Sequence, residues 1–150
     1  MLPSERSAPR LEPLPPDREL ADVLALFAPA CGGFIPNAML FMQRRPKILR
    51  AFVQMTRAVS DPETSEVDTS FKRLIAPVAS RAVGCSYCMS HTAGSARRSG
   101  IDDAKLEAVC EYRTSPLYTE AERIALDVAL AAPRVPNGVT DEMFAKLREH

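Results

Sequence analysis

The chain lacks an excess of charge, a long apolar run and a recognisable export signal. Across 150 residues, lysine plus arginine equals aspartate plus glutamate at 19 each. A nucleic-acid binder carries a basic excess or patch, so that class is not expected. Electrostatic attachment to an anionic membrane surface needs a similar excess. No stretch reaches the roughly 18 unbroken apolar residues of a membrane-spanning helix. The opening Met1-Leu2-Pro3-Ser4-Glu5-Arg6 has no apolar run of signal-peptide type. These absences point to a cytoplasmic protein, in a compartment that keeps thiols reduced. Strand-like alternation is missing as well, and the expected class is all-α. Gly32-Gly33 lacks the rest of a phosphate loop and reads as a helix stop.

Proline is plentiful, and its placement divides the chain. Pro3, Pro9, Pro13, Pro15 and Pro16 mark residues 1–16 as an extended arm, suited to lying on a neighbouring subunit. Residues 17–150 read as one helical domain. Leu20, Val23, Leu24 and Phe27 recur at helical spacing up to Cys31-Gly32-Gly33. A short apolar run, Met39 to Met42, follows Pro36-Asn37. Pro46 opens a helix with Leu49, Phe52, Val53 and Thr56 on one face. Asp68 is placed to cap a helix carrying Phe71, Leu74, Ile75 and Val78, within which Pro77 must cause a kink or a restart. Gly84 permits a sharp break before a helix that runs from near Cys85 to Ser99-Gly100. Asp102 caps the next helix, with Leu106, Val109 and Cys110 inward. Thr119-Glu120-Ala121-Glu122 has capping-box spacing ahead of Ile124, Leu126, Val128 and Leu130. Thr140 starts a last helix whose apolar residues, Phe144 and Leu147, need cover from another subunit or from further chain.

Reactive side chains concentrate in Gly84-Cys85-Ser86-Tyr87-Cys88-Met89-Ser90-His91-Thr92. Two cysteines three residues apart on a helix project about 60° from one another, close enough to alternate between dithiol and disulfide. A thiolate at a helix N-terminus is favoured by unpaired N–H groups and the helix dipole. Arg73, Arg81, Arg97 and Arg98 would add positive potential if they faced the same side. His91, three residues after Cys88, is placed to move protons for such a cycle. Tyr87 is expected to pack or line a pocket, and Cys31 and Cys110 to be isolated thiols. Zinc is the competing use of Cys85, Cys88 and His91, with a distant fourth ligand. No second Cys-x-x-Cys is present to complete such a site.

The motif, its approach Phe71–Val83 and the later Thr119–Leu126 block resemble the alkylhydroperoxidase D-like branch of the carboxymuconolactone decarboxylase family. The resemblance covers roughly residues 30–150. It implies an all-helical alkylhydroperoxidase D-like fold, assembled as trimers or hexamers. It further implies reduction of a hydroperoxide or other small oxidised substrate by Cys85 and Cys88, with an external dithiol as reductant and no cofactor. The family's pattern makes Cys88 the attacking thiol, Cys85 its resolving partner and His91 the relay; the helix-end argument favours Cys85 as the lower-pKa thiol, and the order stays open. Two positions depart from the pattern: Arg73 stands where a relay glutamate is common, and two residues instead of three separate Cys88 from His91. The alternatives are a helical assembly module or redox sensor with an idle motif, and a zinc-stabilised domain.

Overall fold

The structure, a computed structural model, describes residues 11–150, and among these every regular element is helical. The elements are α1 (Ala21–Leu24), α2 (Asn37–Met42), α3 (Pro46–Ser60), α4 (Thr69–Ala82), α5 (Ser86–Arg98), α6 (Asp103–Glu107), α7 (Glu120–Ala131) and α8 (Asp141–Leu147), with short 3-10 turns between several of them. The all-α expectation holds. No helix among the described residues is long and apolar enough to cross a membrane. The chain divides into two compact units, one ending at Ala58 and the other running Val59–His150.

In the first unit, Leu20, Val23, Leu24, Met39, Leu49 and Val53 form the core. The amphipathic stretch from Leu20 does not form one helix. It breaks into a 3-10 turn, the short α1 and further turns, and Gly32 ends the segment in the left-handed region at φ 74°. Ala28-Pro29 supplies the reason: Pro29 has no N–H to continue an α ladder. The end of the proline-rich arm lies on its own chain. Gln43 is buried; its amide donates to the Leu14 and Pro15 carbonyls and its oxygen accepts from the Asp17 N–H. Arg44 donates to the Glu12 carbonyl at 2.6 Å. Residues 1–10 of the expected arm lie outside the described residues.

The second unit is built on α4, which packs on α5 and α7, and α7 also carries α8. Leu74 and Val78 of α4, Ala96 of α5, Leu106, Tyr112, Tyr118, and Leu126 and Ala129 of α7 form its core. Asp68 caps α4 through the Ser70 and Phe71 N–H groups, and Thr119 with Glu122 makes the capping box of α7. Pro77 causes no restart, for α4 continues through it to Ala82. Its ring is buried, so packing offsets a missing hydrogen bond that would otherwise cost about 3 kcal/mol. The helix after Asp102 is shorter than expected. It passes at Ala108 into a 3-10 turn through Glu111, and Cys110 is thereby exposed instead of inward.

Two buried hydroxyls lock this unit. Tyr112 donates to Asp127 Oδ1 at 2.5 Å, and Arg113 donates twice to the same oxygen, at 2.9 and 2.6 Å. Tyr118 donates to the Lys105 carbonyl, while Lys105 Nζ pairs with Glu122 at 2.5 Å.

Candidate active site

Only Val83, Gly84 and Cys85 join α4 to α5. Gly84 takes φ 67°, a left-handed conformation that costs an L side chain about 1–2 kcal/mol. The turn is fastened on both sides. The Gly84 N–H donates to the Arg81 carbonyl and the Cys85 N–H to the Ser80 carbonyl, both at 3.0 Å. On the far side the Met89 N–H donates to the Cys85 carbonyl at 2.9 Å. Cys85 therefore caps α5 instead of occupying its first turn, and its sulfur takes the place of a capping oxygen, accepting from the Cys88 N–H at 3.3 Å.

The two sulfurs stand 2.6 Å apart, and both are free, half-buried thiols. Their environments differ. The Cys88 side chain, hydrogen-bonded to Cys85, and then the Cys88 N–H hold the Cys85 thiol below its ordinary range. Cys88 is pushed up, first by that same bond to Cys85, then by burial and by the neighbouring sulfur's charge. The helix-end argument is thus matched in direction: the capping sulfur is the more acidic one.

The remaining candidates divide between the two sides of α5. His91 lies one turn beyond Tyr87, and their rings meet with centroids 4.4 Å apart. Met89 and Ala93 instead wall a cavity of about 630 Å³ between α4, α5, the 108–111 turn and α7. On a regular helix His91 projects about 160° from Met89, so the imidazole is not on the cavity side. Cys88 projects between the two. Arg81 lines the cavity. Arg97 and Arg98 do not enrich the motif's end: they close the C-terminal turn of α5, about 18 Å along the axis from Cys85. Arg97 is also paired with Asp103 at 2.5 Å.

Among the described residues, no three His, Cys, Asp or Glu side chains converge as a metal site. The zinc alternative required Cys85, Cys88 and His91 to do so. Sequence reasoning missed the cavity. Its signal was present in Met89 and Ala93, an apolar and a small residue one turn apart on a helix whose other positions are largely polar.

Uncharacterised protein YnjA of Escherichia coli strain K12 is 34% identical over 87 residues, which is 57% of this chain and 47% of that protein. The chain thus spans about half the length of the curated relative it matches. The solved debrominase Bmp8, as a cysteine-to-alanine variant in complex with 2,3,4-tribromopyrrole, superposes with a TM-score of 0.83 at 31% identity. That match covers 93% of this chain and 75% of the other. Its apo form gives 0.81 at 32% identity, covering 91% and 74%. A family profile, "Carboxymuconolactone decarboxylase family", matches residues 46–131, more than half of the chain and all of the cysteine motif. The chain, with its alkylhydroperoxidase D-like helical fold, belongs to the carboxymuconolactone decarboxylase family.

Proposed function

We propose that the chain is a thiol-dependent oxidoreductase in which Cys85 and Cys88 deliver two electrons to a small oxidised substrate, a hydroperoxide in the first instance. The observation that carries this reading is the unequal pair: the Cys85 sulfur accepts the helix-end N–H of Cys88, and the Cys88 sulfur 2.6 Å away is pushed up by that contact and by burial. The Cys85 thiolate attacks the distal peroxide oxygen, the O–O bond breaks, and Cys85 becomes a sulfenic acid. The departing alkoxide takes the Cys88 proton and leaves as the alcohol. The resulting Cys88 thiolate attacks the Cys85 sulfur and expels hydroxide, which takes up the proton first released by Cys85 and leaves as water. One hydroperoxide and two thiols thus become one alcohol, one water and one disulfide. His91, on the Cys88 side of α5, is assigned to carrying these protons. An external dithiol restores the pair, and the protein works as a homo-oligomer, trimer or hexamer.

A second reading is favoured by the likeness to Bmp8 over 93% of the chain. The same pair would remove bromine from a halogenated heteroaromatic ring. The aryl bromide and two thiols give the ring C–H, hydrogen bromide and the disulfide, with identical electron count.

One assay tests both. Wild type, Cys85→Ser and Cys88→Ser are each given tert-butyl hydroperoxide or a polybrominated pyrrole with excess dithiothreitol. Peroxide consumption and bromide release are followed. The expected result is turnover by wild type on one substrate and a drop of about a hundredfold or more in both variants. Equal background rates in all three proteins on both substrates would remove the enzyme reading.

A further inference from the structure

Helix α3 has two apolar stripes. Leu49 and Val53 are buried in the core of the first unit. Ile48, Phe52, Met55 and Val59 recur at i, i+4, i+7 and i+11, the spacing of a helix-packing seam, about 100° around the helix from that buried stripe. Phe52 is partly buried, but Ile48, Met55 and Val59 are 56, 58 and 68% exposed. From Ile48 to Val59 the seam runs about 16 Å along the axis. The helix carries Lys47, Arg50 and Arg57 and no acidic residue, and Arg44 and Arg45 precede it. Arg50 is paired with Asp22. Among the described residues Lys47, beside Ile48, has no carboxylate within ion-pair distance.

The second unit has the converse feature. A groove of about 670 Å³ lies between α4, α7, α8 and the 66–68 approach to α4. Phe71 and Ile75 of α4, Val128 of α7, Leu147 of α8 and the half-exposed Val67 make its walls apolar. Ala121 and Ala125, one turn apart on α7, present small side chains to it, which lets a second helix come close. At the approach to α4 its rim carries Glu66 and Asp68, the end of a run from Asp61 with four acidic residues and no basic one. Among the described residues Glu66 has no basic side chain within ion-pair distance.

We propose that the exposed seam of α3 in one copy docks in the α4–α7–α8 groove of a second copy of this chain, its basic Lys47 end toward the acidic rim. Charge selects this occupant. A second α3 laid against the first would bring like charges together, since neither helix has an acidic residue to offer. The groove instead supplies apolar surface at its centre and opposite charge at its edge, the anatomy of a specific interface. The same contact covers Leu147 of α8. Each copy offers one seam and one groove, so the contact is heterologous and repeats from copy to copy until the assembly closes. This docking rests on the homo-oligomer part of the function proposed above, and not on its thiol chemistry.

The test is sedimentation velocity of the full chain, with helix content followed by circular dichroism. Wild type is compared with Met55→Glu on the seam and Val67→Lys on the groove wall, both exposed positions. Wild type is expected to associate, and each variant to keep its helix content while losing affinity by about thirtyfold or more. Mixing the two variants is the sharpest arm. Met55→Glu retains a groove and Val67→Lys retains a seam, so a complex larger than either protein alone is expected to return. Ile48→Glu and Glu66→Lys, with the same expectations, replace the first pair if either member loses helix content. An assembly that survives both seam and groove substitutions would overturn the docking while leaving the homo-oligomer standing. Loss in the seam variants alone, with no recovery on mixing, would show seam packed on seam and overturn the groove. A wild type that stays monomeric at every concentration would overturn the docking and the homo-oligomer together. A monomeric wild type that binds phosphatidylserine vesicles, and loses them in Met55→Glu, would assign the seam to a membrane surface instead. The turnover assay reads the Cys85–Cys88 pair separately from all of these.

Discussion

The Cys88 backbone N–H donates to the Cys85 sulfur at 3.3 Å while the Cys88 thiol meets the same sulfur at 2.6 Å. One residue thereby supplies two of the groups that favour charge on its neighbour. Of the two, the side-chain contact has the larger effect on Cys85. Cys88→Ala is therefore expected to raise the Cys85 pKa, and Cys88→Ser, which keeps a hydroxyl donor, to raise it less. The pH dependence of iodoacetamide labelling, resolved by peptide mass spectrometry, measures this. An unchanged profile in Cys88→Ala would show that the helix end alone sets the acidity.

The turn that presents Cys85 depends on Gly84 at φ 67°. A Cβ at this position meets nothing within 4 Å, so a substitution there is penalised by backbone strain and not by a clash. Gly84→Ala is expected to cost about 1–2 kcal/mol in urea unfolding. The Cys85 cap should loosen with it, moving the Cys85 pKa toward its ordinary value. A fully stable variant with the wild-type thiol profile would contradict the strained turn.

Alkaline stability follows from the two locked tyrosines. Burial, and then the Asp127 contact, push the Tyr112 phenol far above its ordinary 10.0. Burial pushes Tyr118 up to about 12. Both folded pKa values are raised, so folding favours the neutral phenols. Their contribution is complete below pH 10 and is lost as pH climbs through 10 toward 12 and beyond. Each tyrosine can lower the folding constant by up to about tenfold per pH unit in that window. Urea midpoints measured at pH 8 to 11 should fall, and Tyr118→Phe should flatten the decline. A midpoint independent of pH up to 11 would contradict the buried, hydrogen-bonded assignment.

Periodicity and capping chemistry made α3, α4, α5 and α7 legible in the sequence, because each is long enough for its apolar face to repeat and begins at Pro46, Asp68, the cysteine turn or Thr119. The family resemblance rested on the cysteine motif and its flanks, and the profile match bears it out. What sequence spacing concealed was local. The stretch from Leu20 fragments because the Leu20–Phe27 repeat is too short to dominate over Pro29, and Cys110 turns outward because the helix tightens to 3-10 geometry at Ala108. The Tyr112–Asp127–Arg113 lock pairs residues about four helical turns apart in sequence through a bend, which no periodic pattern records. The cavity was concealed for the same reason, since its wall is shared among four separate segments.

The order of attack is the point at which the geometry and the family's usual assignment diverge, and it can be read directly. Each single cysteine variant, Cys88→Ser and Cys85→Ser, is exposed to one equivalent of hydroperoxide in the presence of dimedone, and the labelled residue is identified by mass spectrometry. Dimedone on Cys85 in Cys88→Ser, with Cys88 little labelled in Cys85→Ser, is the expected result. Rapid labelling of Cys88 in Cys85→Ser, with Cys85 inert in Cys88→Ser, would contradict the role given to the capping sulfur.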